Sequence, residues 1–149
     1  LRGTPRTMQQ LPPVQRIVPV ICQGLAVSLR RARSAGIGND RIVLDPGIGF
    51  GKTVDQAFEI FTAGLPRLAR MGYPILVGPS RKFFVRKTVE SLLQNQKAAG
   101  NKIPTIAEEV LFGTAAAVTA AILYGAHIVR VHDVRQMLPA IRLADRLAG

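Results

Sequence analysis

The sequence has no tryptophan, a single cysteine and few acidic residues: 9 Asp and Glu stand against 20 Lys and Arg in a chain of 149 residues. Each scarcity excludes something. Cys22 alone cannot close an intrachain disulfide, and no Cys/His cluster with metal-ligand spacing exists. The chain therefore suits a reducing compartment, and the cytoplasm is the expected location. Cys22 sits in an apolar run and reads as a small core residue. With two Tyr, six Phe and no recognisable recognition motif, a non-catalytic basic nucleic-acid-binding protein is a poor fit, and no nucleic-acid partner is expected. Long apolar runs are also scarce. The exception, Val110 to Val129, carries no charge when His127 is neutral and is long enough to span a bilayer. It is rich in Ala, Gly and Thr and breaks at Tyr124-Gly125, so it reads as a buried helix followed by a strand, not a membrane span. No signal-peptide pattern is visible. The chain opens on Leu1 without a methionine, which raises the expectation of a fragment or a processed product.

What is present suits one packed domain over residues 1–149: 48% of residues are hydrophobic and 19% charged. The net charge of +11 admits an anionic partner. Much of it has a plainer reading. Arg30, Arg31 and Arg33 fall near one expected helix end, and Arg67 and Arg70 near another, where cations suit the helix dipole.

Periodicity orders the elements. Ile21, Leu25, Leu29 and Ala32 mark a helix from about Pro19 to Ala35, stopped by Gly36. Arg41 to Asp45 is a short apolar strand, expected to be buried on both faces as in a parallel sheet. Thr53 and Gln56 have capping-box spacing and open a second helix to about Met71, kinked or restarted at Gly64 and Pro66. Pro74 to Gly78 is a second strand, and a third helix starts at Phe83. Gln94 to Pro104 reads as a polar loop. Thr105 and Glu108 open a long Ala-rich helix to Tyr124. His127 to Asp133 is a third strand, and Asp133 can cap a last helix over 134–147. Strands alternating with helices mean an α/β fold with a parallel sheet.

Each strand ends in a chemically loaded turn: DPGIGFGK, GPSRK and RVHD. In parallel α/β folds the sites lie at the carboxyl ends of strands, so all three turns share one edge. Together they offer the Asp45 carboxylate, the cations Lys52, Arg81, Lys82 and Arg130, the His132 imidazole and the Ser80 hydroxyl beside a helix N-terminus. Arg130 and His132, two apart on a strand, share a face. If buried, they need an anionic partner. The set suits a ligand with an anionic end and a polar ring that a carboxylate can hold. GIGFGK alone is weak. It lacks the Walker and dinucleotide spacings, and its glycines could simply permit a tight turn. No residue is assigned as nucleophile or general base.

LDPGIGFGKT, LVGPSRKFF and RVHDV resemble, in order, the last three strand-end motifs of the dihydropteroate synthase family, and LRGTPRTMQ resembles the loop leaving its fifth strand. The resemblance covers the whole chain. It implies the second half of a (β/α)8 TIM barrel, from the end of strand 5 through helix 8, with the first half absent, and a fragment inactive alone. It implies a transferase that condenses p-aminobenzoate with hydroxymethyl-dihydropterin pyrophosphate. Asp45 and Lys82 would hold the pterin, with Gly78 at that site. Ser80, Arg81 and Phe50 would meet p-aminobenzoate, and Arg130 and His132 the pyrophosphate. Gly47, Gly49 and Gly51 would shape the loop, with Gly47, Gly49 and Gly78 letting backbone approach ligands. The role of Lys52 stays open. The resemblance also implies a magnesium cofactor whose ligand lies in the absent half, with no metal ligand in this chain, and sulfonamides as inhibitors. It implies small-molecule substrates and a homodimer as the expected assembly. A pterin-binding methyltransferase domain would share the barrel and the aspartate, but it needs neither SRK nor the Arg-x-His pair.

Overall fold

A computed structural model describes residues 6–8, 10, 12, 14–99 and 105–149. Helix α1 (Ile17–Ser34) begins two residues before the expected Pro19. Pro19 falls in the first turn, where a missing N–H costs no intrahelical bond. The helix closes as its Gly36 predicts. Gly36 has φ +78°, Ile37 N–H donates to Ala32 O at 3.0 Å and Gly36 N–H to Arg33 O at 2.9 Å. That pattern is a Schellman motif, and it satisfies carbonyls the helix leaves open.

The second helical stretch is built in three pieces. Helix α2 (Val54–Glu59) carries both halves of the capping box at Thr53 and Gln56. A wide π turn follows over Ile60–Gly64, and helix α3 (Leu65–Ala69) has Pro66 in its first turn. The expected kink is therefore a π turn just before the proline, whose ring would otherwise press on the carbonyl four residues back.

The sheet is smaller than its sequence suggests. Strand β1 (Leu76–Val77) pairs in parallel with β2 (Ile128–Val129), in the register Leu76 to Ile128 and Val77 to Val129. On the other side of β1, Leu44 makes a single parallel bridge to Ile75. The expected strand over 41–45 is thus corrected. Arg41 closes a short 3-10 turn, only Leu44 pairs, and Val43 is 47% exposed. Parallel strands are held by ladder pairing and by cover on both faces; among the described residues this segment pairs through Leu44 alone, and Val43 lacks cover. The strand over 127–133 shrinks to β2 in the same way. Ile75 and Val77, fully buried, sit in a core with Ile17, Val18, Ile48, Ile60, Phe61 and Phe84.

Helix α4 (Phe83–Ala98) runs through Gln94–Ala98, correcting the expected loop; residues 100–104 lie outside the described set. Gln, Lys and Ala are good helix formers, and polarity there marks a solvated helix face. Helix α5 (Ile106–Leu123) is N-capped by Thr105, whose hydroxyl accepts Glu108 N–H at 3.3 Å. It is long and apolar enough to cross a membrane by length and composition. It nevertheless buries Val110, Thr114, Val118 and Ala121 and packs against α4 and α6 (Val134–Ala148). Asp133 precedes α6 but forms no side-chain cap, so that expectation is also corrected; its carboxylate is held elsewhere.

Candidate functional site

The first loaded turn leaves the sheet at Leu44. Asp45 is exposed, and one carboxylate oxygen accepts Gly47 N–H at 2.7 Å, an Asx turn that reverses the chain. The second oxygen has no hydrogen bond to a described residue. Ile48 is 2% exposed and anchors the loop into the core. Gly47, Gly49 and Gly51 all have positive φ. One of them sits too close to backbone for a side chain, and a second is tight against a lysine stem. A Cβ on Gly51 would lie 2.5 Å from Met8 O, and one on Gly49 would lie 3.0 Å from Lys82 Cδ. The loop is therefore clasped between the Met8 backbone and the Lys82 stem. Lys52 Nζ donates to Phe50 O at 2.8 Å, closing the loop on itself.

The second turn runs from Gly78 to Lys82. Lys82 N–H donates to Pro79 O at 3.1 Å, which makes a β-turn with Arg81 at its third position. Arg81 has φ +55°, where glycine is usual and a side chain costs about 1–2 kcal/mol. Its surroundings hold it there. Arg81 N–H donates to Thr114 Oγ1 at 3.2 Å, Arg81 Nε donates to Asp133 Oδ2 at 2.9 Å, and Nη2 donates to Asp133 Oδ1. This fork is what occupies the Asp133 carboxylate. Lys82 Nζ lies 4.2 Å from the centre of the Phe50 ring, a cation–π contact that ties the second turn to the first.

The third turn follows β2. Arg130 N–H still donates to Val77 O at 2.9 Å, continuing the pairing, and Gly78 lies opposite, with any Cβ 3.7 Å from Arg130 Cβ. Beyond Arg130 the strand pairing stops. Ser80 fixes His132, two residues on, instead: its Oγ accepts His132 N–H at 3.2 Å and lies 3.0 Å from His132 Nδ1. Arg130 and His132 are exposed, because they stand past the paired strand at an open rim. The Arg130 guanidinium has no hydrogen bond to a described residue.

The turns thus come together as three linked pairs: the Asp45 loop with Lys82, Ser80 with His132, and Arg81 with Asp133. A cavity of about 460 Å³ lies between α1 and the glycine loop, lined by Asp45, Pro46, Phe50, Gly51 and Lys52 together with one face of α1. Ser80, Arg81, Arg130 and His132 do not line it. The Ser80–His132 pair has the spacing of a nucleophile and its base. It lacks the orienting carboxylate, since Asp133 is engaged by Arg81. What the edge offers is anion binding by Lys82, Arg130 and His132, next to a carboxylate with acceptor capacity to spare. Among the described residues no group of three or more His, Cys, Asp or Glu could hold a metal ion. Two positions escaped sequence reasoning. Thr114 shares its Ala-rich run with Thr119, so nothing in the sequence singles it out. Asp133 has the position of a helix cap, and its partner Arg81 is far away in the chain.

Residues 1–132 match the sequence profile of the family described as "Pterin binding enzyme". The chain is 40% identical over 147 residues to the dihydropteroate synthase of Synechocystis sp., covering 99% of this chain and 46% of that protein. It is 30% identical over 145 residues to the Escherichia coli K12 dihydropteroate synthase, covering 97% and 46%. Among solved structures, the Yersinia pestis dihydropteroate synthase with a sulfonamide drug superposes with a TM-score of 0.82 at 28% identity, over 99% of this chain and 48% of that one. The Coxiella burnetii dihydropteroate synthase in complex with pteroic acid gives 0.77 at 31%, over 92% and 47%. The chain spans about half the length of the curated relatives it matches, and its α/β arrangement is that of a partial barrel.

Proposed function

The chain belongs to the pterin-binding enzyme family, and from that premise we propose that it forms the C-terminal half of a dihydropteroate synthase barrel. The reaction is then the condensation of p-aminobenzoate with hydroxymethyl-dihydropterin pyrophosphate, giving dihydropteroate and pyrophosphate. The observation that carries this reading is the gathering of Asp45, Lys82 and His132 on one sheet edge by the three linked pairs.

The second oxygen of Asp45, with the remaining capacity of the one bonded to Gly47 N–H, accepts two adjacent donors on a pterin ring. A neutral amide would accept them only in part. Lys82, poised over Phe50, donates to a ring acceptor. Arg130 offers its guanidinium fork and His132 a ring N–H to the departing pyrophosphate, stabilising charge as it develops. Positioning and anion stabilisation are sufficient for such a displacement, and no protein nucleophile is required. Phe50 and Arg81 border the path of the aryl amine, with Arg81 fixed by Asp133.

The implied magnesium finds no donor set among the described residues, so its ligands are proposed for the part of the relatives outside this chain, and no step is routed through it. Binding of sulfonamides, a homodimeric assembly and a cytoplasmic location belong to the same proposal. The location is supported by the lone cysteine.

The test joins residues 1–149 to the unmatched half of the Synechocystis relative and titrates the chimera with pterin calorimetrically. Asp45→Ala should weaken binding by about 10- to 150-fold, since a hydrogen bond to a charged group contributes about 1.5–3 kcal/mol. Unchanged affinity would sink the Asp45 assignment.

A further inference from the structure

Ser80 is 3% exposed, and among the described residues both contacts of its hydroxyl come from His132: the backbone N–H at 3.2 Å and ring Nδ1 at 3.0 Å. A hydroxyl has one proton to give and two lone pairs to fill. The backbone N–H takes one lone pair. Two arrangements remain for the ring. In one, Nδ1–H donates to Ser80, and the buried hydroxyl proton is left without an acceptor among the described residues. In the other, the Ser80 hydroxyl donates to a bare Nδ1, and every group is satisfied. Buried polar groups are paired as a rule, which selects the second.

We infer that Ser80 is a positioning residue that holds His132 in the neutral tautomer with its proton on Nε2. The consequence is directional. His132 is exposed, and its Nε2 has no hydrogen bond to a described residue. That nitrogen becomes a fixed donor at the rim, suited to a phosphate-type oxygen. The link to an anionic ligand rests on the reading given above; the tautomer itself rests on the two contacts alone. The hydroxyl proton is then committed to the ring, so Ser80 serves the anion end of the site through His132, instead of meeting the aryl carboxylate directly as the resemblance implied.

The molecule carries its own control. Its other histidine, His127, accepts Ile75 N–H on Nδ1 at 3.3 Å, so backbone geometry places that proton on Nε2 as well, independently of Ser80. The experiment is nitrogen-15 NMR of the two imidazoles in the 149-residue chain, above the ordinary imidazole pKa of about 6.5. Both rings should show the Nε2–H pattern. In Ser80→Ala, His132 should shift toward the average of two exchanging tautomers while His127 stays put, which also certifies the fold. Ser80→Thr, which restores a hydroxyl, should return His132 to the single pattern. An Nδ1–H pattern for His132 in the unaltered chain, or an unmoved His132 in Ser80→Ala, overturns the inference. Inorganic pyrophosphate is then added to the unaltered chain as a separate arm. A shift confined to His132 supports the anion reading. No shift counts against that reading and leaves the tautomer result to stand on its own spectra.

Discussion

Replacing Asp133 by alanine should destabilise the fold by about 0.5–2 kcal/mol, a figure assembled from the way the carboxylate is used. Its fork with Arg81 has two charge-assisted bonds. Breaking a fully buried pair costs about 3–5 kcal/mol, and an exposed pair contributes about 0.2–1 kcal/mol. Here the Arg81 side chain is 53% exposed and Asp133 16%, so solvent screens the pair and the lower range applies. Asp133 also stands at the start of α6, where a negative charge contributes a further ~0.3–1 kcal/mol through the helix dipole. Asp133→Asn, which keeps the shape, should lose most of both. The assay is urea unfolding of Asp133→Ala, Arg81→Ala and the double variant, read at constant slope. The cycle should return a coupling of about 0.5–1 kcal/mol that weakens in roughly 1 M salt, where the Debye length falls to about 3 Å. A coupling near zero, with Asp133→Asn as stable as the parent, refutes the fork.

Two further stability predictions follow from the same geometry. Gly51→Ala must place a Cβ 2.5 Å from Met8 O at φ +59°, whereas Gly36→Ala meets nothing within 4 Å at φ +78°. Both should lose the left-handed penalty of about 1–2 kcal/mol, and Gly51→Ala clearly more; equal losses on thermal unfolding would mean that Met8 does not clasp the loop. Gln56 accepts Thr53 N–H at 3.1 Å and donates to Val14 O at 2.6 Å from a buried position. Gln56→Ala should cost about 2–4 kcal/mol, because two partners are left unsatisfied. Gln56→Glu should keep the capping bond but set an acceptor against the Val14 carbonyl, so stability equal to the parent in denaturant titration would argue against that contact.

The parts of the fold written in local chemistry were legible. Thr53 and Gln56 carry both halves of their box, Gly36 builds the end of α1, and β1 and β2 alternate with helices in the expected order. The misreadings share a physical cause, since each depended on partners that a sequence window does not contain. Residues 41–45 look like a buried strand, but pairing is a property of two neighbours, and only Leu44 finds one. Asp133 has the chemistry of a cap, yet Arg81, 52 residues earlier, binds it more strongly. Gln94–Ala98 look like loop because they are polar, although helix propensity points the other way. At the site, the three loaded turns and their shared edge were readable. Their linkage was not. The Lys82–Phe50 stack and the Ser80–His132 contact depend on how the loops fold over one another. The exposure of Arg130 and His132 depends on where strand pairing stops.

On the proposed function, this chain would supply the pterin- and pyrophosphate-facing half of a dihydropteroate synthase. The most direct measurement is pyrophosphate release by the chimera of residues 1–149 with the unmatched half of the Synechocystis relative. Hydroxymethyl-dihydropterin pyrophosphate is supplied with and without p-aminobenzoate. Release should require both substrates, form dihydropteroate in equal amount, and be lost when residues 1–149 are assayed alone. A folded chimera that binds neither substrate and releases no pyrophosphate would contradict that function.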